Sequence, residues 1–126
     1  MVTDLEIEFH LKELMPQLQN KVDSHFQENY IREPIIVGKT FLQQRNSRKL
    51  TLKEGRKYYK IILEEGGEWG GFIAHVFGFI RKGDGAILKA ASWSKPETRT
   101  KSAIRGYITD EEAIDYFDYH GVVYAL

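Results

Sequence analysis

Residues 69–81 constrain the fold most strongly, because this stretch predicts a long strand that is apolar on both faces. Successive side chains of a strand point to opposite faces, so a two-residue period sorts them into two sets. The two sets are Phe72, Ala74, Val76 and Ile80 on one face, and Ile73, His75, Phe77 and Phe79 on the other. A strand that is apolar on both faces belongs in the middle of a sheet. Gly70, Gly71 and Gly78 within it predict bends or bulges.

Further strands and tight turns on both sides of this stretch predict an antiparallel sheet. Residues 56–65 alternate with a period of two, and Gly66-Gly67 supplies the turn that follows them. Residues 82–85 predict a hairpin turn into a returning strand at residues 86–93. Shorter strands are predicted at residues 35–37, around Leu50 and Leu52, at residues 103–108 and at residues 122–125, with a turn at residues 46–48.

The N-terminal region predicts a helix. Apolar residues recur in steps of four at Leu14, Leu18, Val22, Phe26 and Tyr30, which is the spacing of one buried helix face. Residues 5–12 fit either a strand of period two or an extension of this helix, and their good helix formers favour the helix. Pro16 fits the first turn of a helix that begins near it, or kinks a longer one.

A second, shorter helix is predicted near the end of the chain. Thr109 and Glu112 have the spacing of a capping box, and the helix would run to about Tyr116 or Phe117. The 126 residues are enough to bury about two thirds of the surface of the unfolded chain. The sequence therefore predicts one α+β domain, residues 1–126, with an N-terminal amphipathic helix packed on an antiparallel β-sheet, a short C-terminal helix and a final strand.

Composition excludes several kinds of chemistry. The chain has no cysteine, so disulfides, thiolate catalysis and cysteine-bound zinc are absent. The four histidines lack the spacing of a metal site, and no GxSxG nucleophile motif is present. The IIVGKT run at residues 35–40 lacks the first glycine of a phosphate-binding loop. We therefore expect no cofactor, no metal and no enzymatic activity, with a small hydrolase or nuclease using His75 with Glu64 or Glu68 as the enzymatic alternative.

Charge is segregated along a chain whose net charge is zero. Residues 39–60 carry eight bases against one acid, and residues 81–105 carry seven against two, while both ends are acidic. A basic middle attracts an anionic ligand such as nucleic acid or a nucleotide. The alternative is that the acidic ends pair with the basic middle, within one chain or between subunits. No apolar run is long enough for a membrane span and the start is no signal peptide, so we expect a soluble intracellular protein.

The candidate binding segment is residues 89–105. Its proposed ligand-binding residues are Lys89, Trp93, Lys95, Arg99, Lys101 and Arg105. Lysine and arginine donate hydrogen bonds to phosphate oxygens, and an indole ring offers a flat face on which a base can stack. The alternative is a polar connection between strands with Trp93 packed in the core. The basic group at Arg56, Lys57 and Lys60, with Tyr58 and Tyr59, could share this face if the sheet brings it near.

The order of residues from 56 to 108 resembles a pattern in small, uncharacterised phage and prophage proteins. The matching residues are Gly83, Asp84, Leu88, Lys89, Ala90, Ala91, Ser92, Trp93, Pro96, Arg105 and Gly106. The resemblance implies a phage-type accessory protein that acts in the cytoplasm of a bacterial host. We expect it to bind an anionic partner, nucleotide or nucleic acid. The alternative is a protein–protein interaction module that inhibits a host or defence protein and forms homo-oligomers.

Overall fold

The computed structural model describes residues 3–26, 48–66, 72–99, 103–118 and 121–123. The elements in chain order are α1 (Asp4–Phe26), β1 (Arg48–Glu54), β2 (Tyr58–Gly66), β3 (Phe72–Arg81), β4 (Ala86–Leu88), β5 (Ile104–Tyr107), a 3₁₀ helix (Ala113–Tyr116), β6 (Phe117–Asp118) and β7 (Gly121–Val122). The predictions for Tyr30, residues 35–37, residues 46–47, Gly67, Gly70, Gly71, Lys101 and residues 124–125 lie outside the described residues. None of the helices in the described ranges combines the length and the apolar character needed to cross a bilayer.

The strands β1 to β5 form one antiparallel sheet in the order of the chain, and β6 and β7 form a separate two-stranded ladder. The β3–β4 turn is closed by a hydrogen bond from the Gly85 amide to the Arg81 carbonyl at 2.9 Å, and Gly85 has a φ of 76°. The predicted central position of β3 is confirmed, because β2 and β4 pair with its two edges. The α+β class predicted from the sequence is likewise confirmed.

A bulge in β3 changes which side chains share a face. Ile61 pairs with Gly78, and Ile62 pairs with Val76, so Phe77 is an extra residue without a partner on β2. The predicted irregularity at Gly78 is therefore confirmed. The predicted faces of Phe79 and Ile80 are wrong, because Ile80 packs with Phe77 in the main core and Phe79 lies on the other face. One inserted residue exchanges the two faces of everything beyond it.

The helix α1 covers one face of the sheet. Its buried residues are Ile7, Leu11, Leu14, Leu18 and Val22, which form the main core with residues of β1 to β4, including Leu50, Tyr59, Ile61, Leu63, Phe77, Ile80 and Ile87. Helix is thus the correct alternative for residues 5–12. Pro16 lies inside the helix and not in its first turn.

The start of α1 is capped by Thr3, whose Oγ1 accepts a hydrogen bond from the Glu6 amide at 3.2 Å. The capping box predicted at Thr109 and Glu112 is wrong. The 3₁₀ helix begins after Glu112, which makes no side-chain capping bond. Glu112 instead accepts a hydrogen bond from the Tyr116 hydroxyl at 3.1 Å. The acidic side chains that would cap a helix here bind the ring hydroxyl of the following turn.

Candidate functional site

The face of the sheet opposite α1, hereafter the open face, carries the candidate site. Paired residues of an antiparallel ladder project to the same face. One row across the open face is Lys53, Lys60, Phe79, Leu88 and Ile104. A small apolar cluster of Phe79, Leu88 and Ala103 lies here, with Tyr58, Val76 and Ala90 against it. In the described part of the chain, aromatic and basic side chains are therefore interleaved on this face.

Trp93 is held by a tight turn between β4 and β5. The amides of Ala91 and Ser92 both donate to the Lys95 carbonyl, at 3.0 and 3.1 Å, and Ala90 forms a β-bridge with Pro96. The indole stays 50% exposed. The alternative that placed Trp93 in the core is therefore wrong, and the hydrogen bonds of the turn fix its backbone.

The Lys60 ammonium group lies on the ring of Trp93. Its Nζ is 4.6 Å from the Trp93 ring centroid and 5.8 Å from that of Phe79. Tyr58 meets the Phe79 ring edge-on at 5.8 Å. The sheet thus brings Lys60, from the basic group at residues 56–60, to Trp93. Tyr59 belongs to the other face, where it is buried in the main core.

Two lysines face each other across β1 and β2, because Lys53 is the cross-strand partner of Lys60. Burial lowers the pKa of Lys60, and the charge of Lys53 lowers it further. Like charges directly opposite each other in a sheet are destabilising. The Lys53–Lys60 pair therefore concentrates positive charge beside the exposed indole.

The structure brings only some of the predicted ligand-binding residues together. Lys95 shares the turn of Trp93, and Lys95 and Arg99 are both exposed. Lys89 is half-buried, and its carbonyl accepts a hydrogen bond from the Glu97 amide at 2.7 Å. Arg105 is the extra residue of a bulge in β5, and its Nε is shielded from solvent without an acceptor among the described residues. Lys101 lies outside the described residues.

Several residues of the open face were not predicted as part of a binding site. They are Lys53, Phe79, Arg81 and Tyr107. Their placement depends on strand register, which a single strand does not reveal. For Lys53 and Lys60 the short turn around Gly55 was the available signal, because it makes the two strands a hairpin.

Comparison with known proteins identifies a family. The family model described as "Family of unknown function (DUF7717)" matches residues 2–125. The chain belongs to the DUF7717 family. Neither the search of curated proteins nor the search of solved structures found a match.

The enzymatic alternative for this DUF7717 chain depends on His75 and Glu64. His75 pairs with Leu63, whose side chain is in the main core under α1, whereas Glu64 is the next residue of β2 and projects to the open face. The two side chains therefore lie on opposite faces of the sheet, and Glu68 is outside the described residues. In the ranges that the structure describes, no group of three histidine, aspartate or glutamate side chains could hold a metal ion.

A surface pocket of about 590 Å³ lies at the β3–β4 turn, hereafter the turn pocket. Its lining includes Arg81, Lys82, Asp84, Tyr107, Thr109 and Asp110. The Arg81 guanidinium donates from Nε to Asp84 Oδ1 at 3.1 Å and from Nη2 to Asp84 Oδ2 at 2.6 Å. This hydrogen bonding lowers the pKa of Asp84 and raises the pKa of Arg81. Tyr107 is 37% exposed.

Proposed function

We propose that this DUF7717 protein is a non-enzymatic binding protein whose ligand is anionic and carries a base. The ligand class is a nucleotide or a single-stranded nucleic acid, bound on the open face around Trp93. The observation that carries the proposal is the Lys53–Lys60 pair beside the half-exposed indole. The two lysines attract phosphate, and the indole of Trp93 stacks a base.

The electrostatics of the two lysines favour an anion at this place. Their mutual repulsion costs the free protein stability, and a phosphate bound between them would reverse the sign of that interaction. Lys49 and Lys53 of β1 and Lys95 and Arg99 of the loop are exposed and add positive charge that an anion can meet. A chain of zero net charge has little long-range attraction for duplex DNA, which favours a local, single-stranded contact.

The aromatic contribution comes from Trp93. Stacking of a base on an aromatic side chain contributes about 1–3 kcal/mol. In the free protein Lys60 lies on one face of the indole ring, and the ring is still half exposed. A base can therefore stack on the ring while Lys60 stays close to the phosphate that follows it.

The test is fluorescence anisotropy with a labelled single-stranded oligonucleotide. We expect Trp93→Ala and Lys60→Gln each to weaken binding about tenfold or more, and added salt to weaken wild-type binding. The matched controls are Phe9→Ala and Lys12→Gln on α1, on the far side of the molecule, which should bind as wild type. Equal affinity of wild type, Trp93→Ala and Lys60→Gln would refute the proposal.

A second candidate is a protein–protein contact through α1. Leu5 and Phe9 are 76% and 59% exposed and lie four residues apart, on one side of the helix. Exposed apolar pairs on a helix are typical of docking surfaces. If Phe9→Ala changes the size of the protein in solution while Trp93→Ala leaves oligonucleotide binding intact, this candidate replaces the first.

The resemblance to phage proteins supplies the biological setting of both candidates. Under this proposal the protein is a phage or prophage product in the cytoplasm of a bacterial host. Its ligand is then a phage or host nucleic acid in the first candidate, and a host or defence protein in the second. The exposed surfaces on α1 and on the open face support the two candidates separately.

A further inference from the structure

We propose that the turn pocket binds a second base of the same strand, so that the ligand is a single-stranded oligonucleotide and not a mononucleotide. This inference rests on the proposed function and identifies the ligand class of the open face. It requires that the turn pocket be continuous with the open face, that its chemistry suit a base, and that one nucleotide be too short to reach both places.

Strand register makes the turn pocket continuous with the open face. Tyr58 pairs with Arg81, and Ala86 pairs with Tyr107. These residues form the row next to Lys60, Phe79 and Leu88 on the same face. Arg81 and Tyr107 also line the turn pocket. Phe79 and Leu88 are buried, whereas Tyr58 and Arg81 are partly exposed. A strand that lies over Lys60 and Trp93 can therefore reach Tyr107 along the row of Tyr58 and Arg81.

The distance between the two places exceeds one nucleotide. Lys60 is in β2 and Tyr107 is in β5, three strand spacings apart. At about 4.8 Å per spacing the separation is about 14 Å. A stacked strand advances about 3.4 Å per nucleotide, so about four nucleotides cover this distance, and fewer in an extended strand. A mononucleotide can occupy only one of the two places.

Both basic side chains in the turn pocket are paired with carboxylates, which favours a neutral group over a phosphate. Asp84 binds the Arg81 guanidinium through two hydrogen bonds. Lys82 is paired with Glu54, with 2.7 Å between Nζ and Oε2. Asp110 Oδ2 accepts hydrogen bonds from the Tyr107 amide at 3.0 Å and the Tyr116 hydroxyl at 2.9 Å. The positive charges that line the pocket are therefore neutralised, unlike the Lys53–Lys60 pair.

The shape and polar groups of the turn pocket suit a base. A volume of about 590 Å³ is in the range of pockets that hold small planar ligands. The half-exposed Tyr107 ring offers a stacking surface. Arginine, aspartate and threonine side chains around it supply both donors and acceptors for the edge of a base. Phosphates thus bind at one end of the open face and a second base at the other.

The experiment measures affinity against ligand length, with thymidine oligonucleotides of one to about eight nucleotides. In the wild type we expect affinity to rise with length until both places are filled. In Tyr107→Ala the gain in affinity from the mononucleotide to the longer ligands should be about tenfold smaller. Tyr107→Phe keeps the ring and should restore the gain. Tyr107→Thr, which keeps a good strand former, serves if the alanine variant is unstable.

The controls separate this inference from the proposed function. Lys12→Gln, on α1 and far from the open face, should show the wild-type dependence on length. If the wild type binds oligonucleotides through Trp93 but a mononucleotide binds as tightly as the longest ligand, the inference is wrong and the proposed function stands. The same holds if Tyr107→Ala and Tyr107→Thr keep the full gain with length. If no ligand of any length binds the wild type, both are wrong.

Discussion

At the scale of single residues, the open face is destabilised by like charges at the place where we expect the anionic ligand to bind. Lys53 and Lys60 are cross-strand partners of the same charge. Lys60 is also partly withdrawn from water over Trp93, and its pKa is lowered first by burial and then by Lys53. A sheet selected for stability alone would place an acid at one of these positions, since opposite charges across strands are favourable.

Replacing Lys53 should therefore stabilise the free protein while it weakens binding. We expect Lys53→Gln to raise the free energy of unfolding by about 0.5 kcal/mol at low salt, measured by urea denaturation. The gain should shrink at high salt, because exposed charges are screened. The matched control is Lys49→Gln, on the same strand and face but opposite Glu64, which should not stabilise. Equal gains in both variants would contradict the account.

The sequence predicted part of the residue-scale picture. Trp93, Lys95 and Arg99 were predicted from their types and spacing, and the structure leaves all three exposed. Lys53 was missed, because its proximity to Lys60 exists only in the register of the β1–β2 hairpin. Gly106 allows a close approach that a side chain would block. The group that approaches is the chain's own Tyr116 ring, which occupies the space of a Cβ at that position.

At the scale of elements, a Thr-x-x-Glu spacing stands before α1 and another before the 3₁₀ helix, and only the first is a helix cap. Thr3 Oγ1 accepts from the Glu6 amide and donates to Glu6 Oε1 at 3.3 Å, at the start of α1. At the other spacing, Glu112 and Asp110 bind the Tyr116 hydroxyl. Local sequence allowed both caps. The contact between Tyr116 and the acids decided against the second.

The two threonines should therefore differ in their contribution to stability. We expect Thr3→Ala to lower the free energy of unfolding by about 1 kcal/mol, because it removes the cap of a long helix. Thr109→Ala should change it by less than about 0.5 kcal/mol. Circular dichroism with urea denaturation measures both variants. A larger loss in Thr109→Ala than in Thr3→Ala would show that the cap assignment is reversed.

The faces of β3 illustrate what periodicity leaves open. The strand, its length and its central place follow from an apolar run between glycine turns, and Gly78 signalled an irregularity. The position of the extra residue, Phe77, did not follow, because it is fixed by contacts from other elements. A Cβ at Gly78 would lie 2.7 Å from Val122 Cγ2, and Phe77 stacks on Phe117 with the centroids 5.9 Å apart. Both partners are about 40 residues away in the chain.

At the scale of the whole molecule, polar side chains fasten α1 to the sheet and to the C-terminal segment. Gln19 donates to the Arg48 carbonyl at 2.8 Å and accepts from the Leu50 amide at 2.9 Å, so it pairs with the edge of β1. Lys21 donates to the carbonyls of Ile114 and Phe117 at 2.9 and 2.8 Å. These bonds orient the helix, and they leave the open face to the loop that carries Trp93.

The Tyr59 hydroxyl makes a further bond between the layers, to Glu8 Oε1 at 3.0 Å. The pKa of Tyr59 is raised from 10.0 to about 12, first by burial, then by the hydrogen bond to Glu8 and by the negative charges of Glu8, Glu54 and Asp4. The Lys82 ammonium lies 5.0 Å from the centroid of this ring. Ionisation of Tyr59 would bring a second negative charge against Glu8 and loosen α1 from β2.

Stability should consequently fall in alkali, and Tyr59 should be one cause. Between pH 10 and about 12 the unfolded chain has released the Tyr59 proton while the folded protein retains it, so the free energy of unfolding decreases as pH rises. Tyr59→Phe should be less stable near neutral pH by about 1 kcal/mol, through loss of the bond to Glu8, and should lose less on going to about pH 11. Urea denaturation at both pH values measures this difference.

The other titrating groups affect both proteins alike, so they cancel in this comparison. The pKa of Tyr116 is raised by its hydrogen bond to Asp110, which gives a further alkaline loss in wild type and variant. The lowered pKa of Lys60 has the opposite effect on stability. Just below pH 10.5, the ordinary pKa of lysine, the unfolded chain binds more protons than the folded one, so the free energy of unfolding rises with pH. Parallel pH profiles for wild type and Tyr59→Phe would show that the bond to Glu8 does not couple helix to sheet.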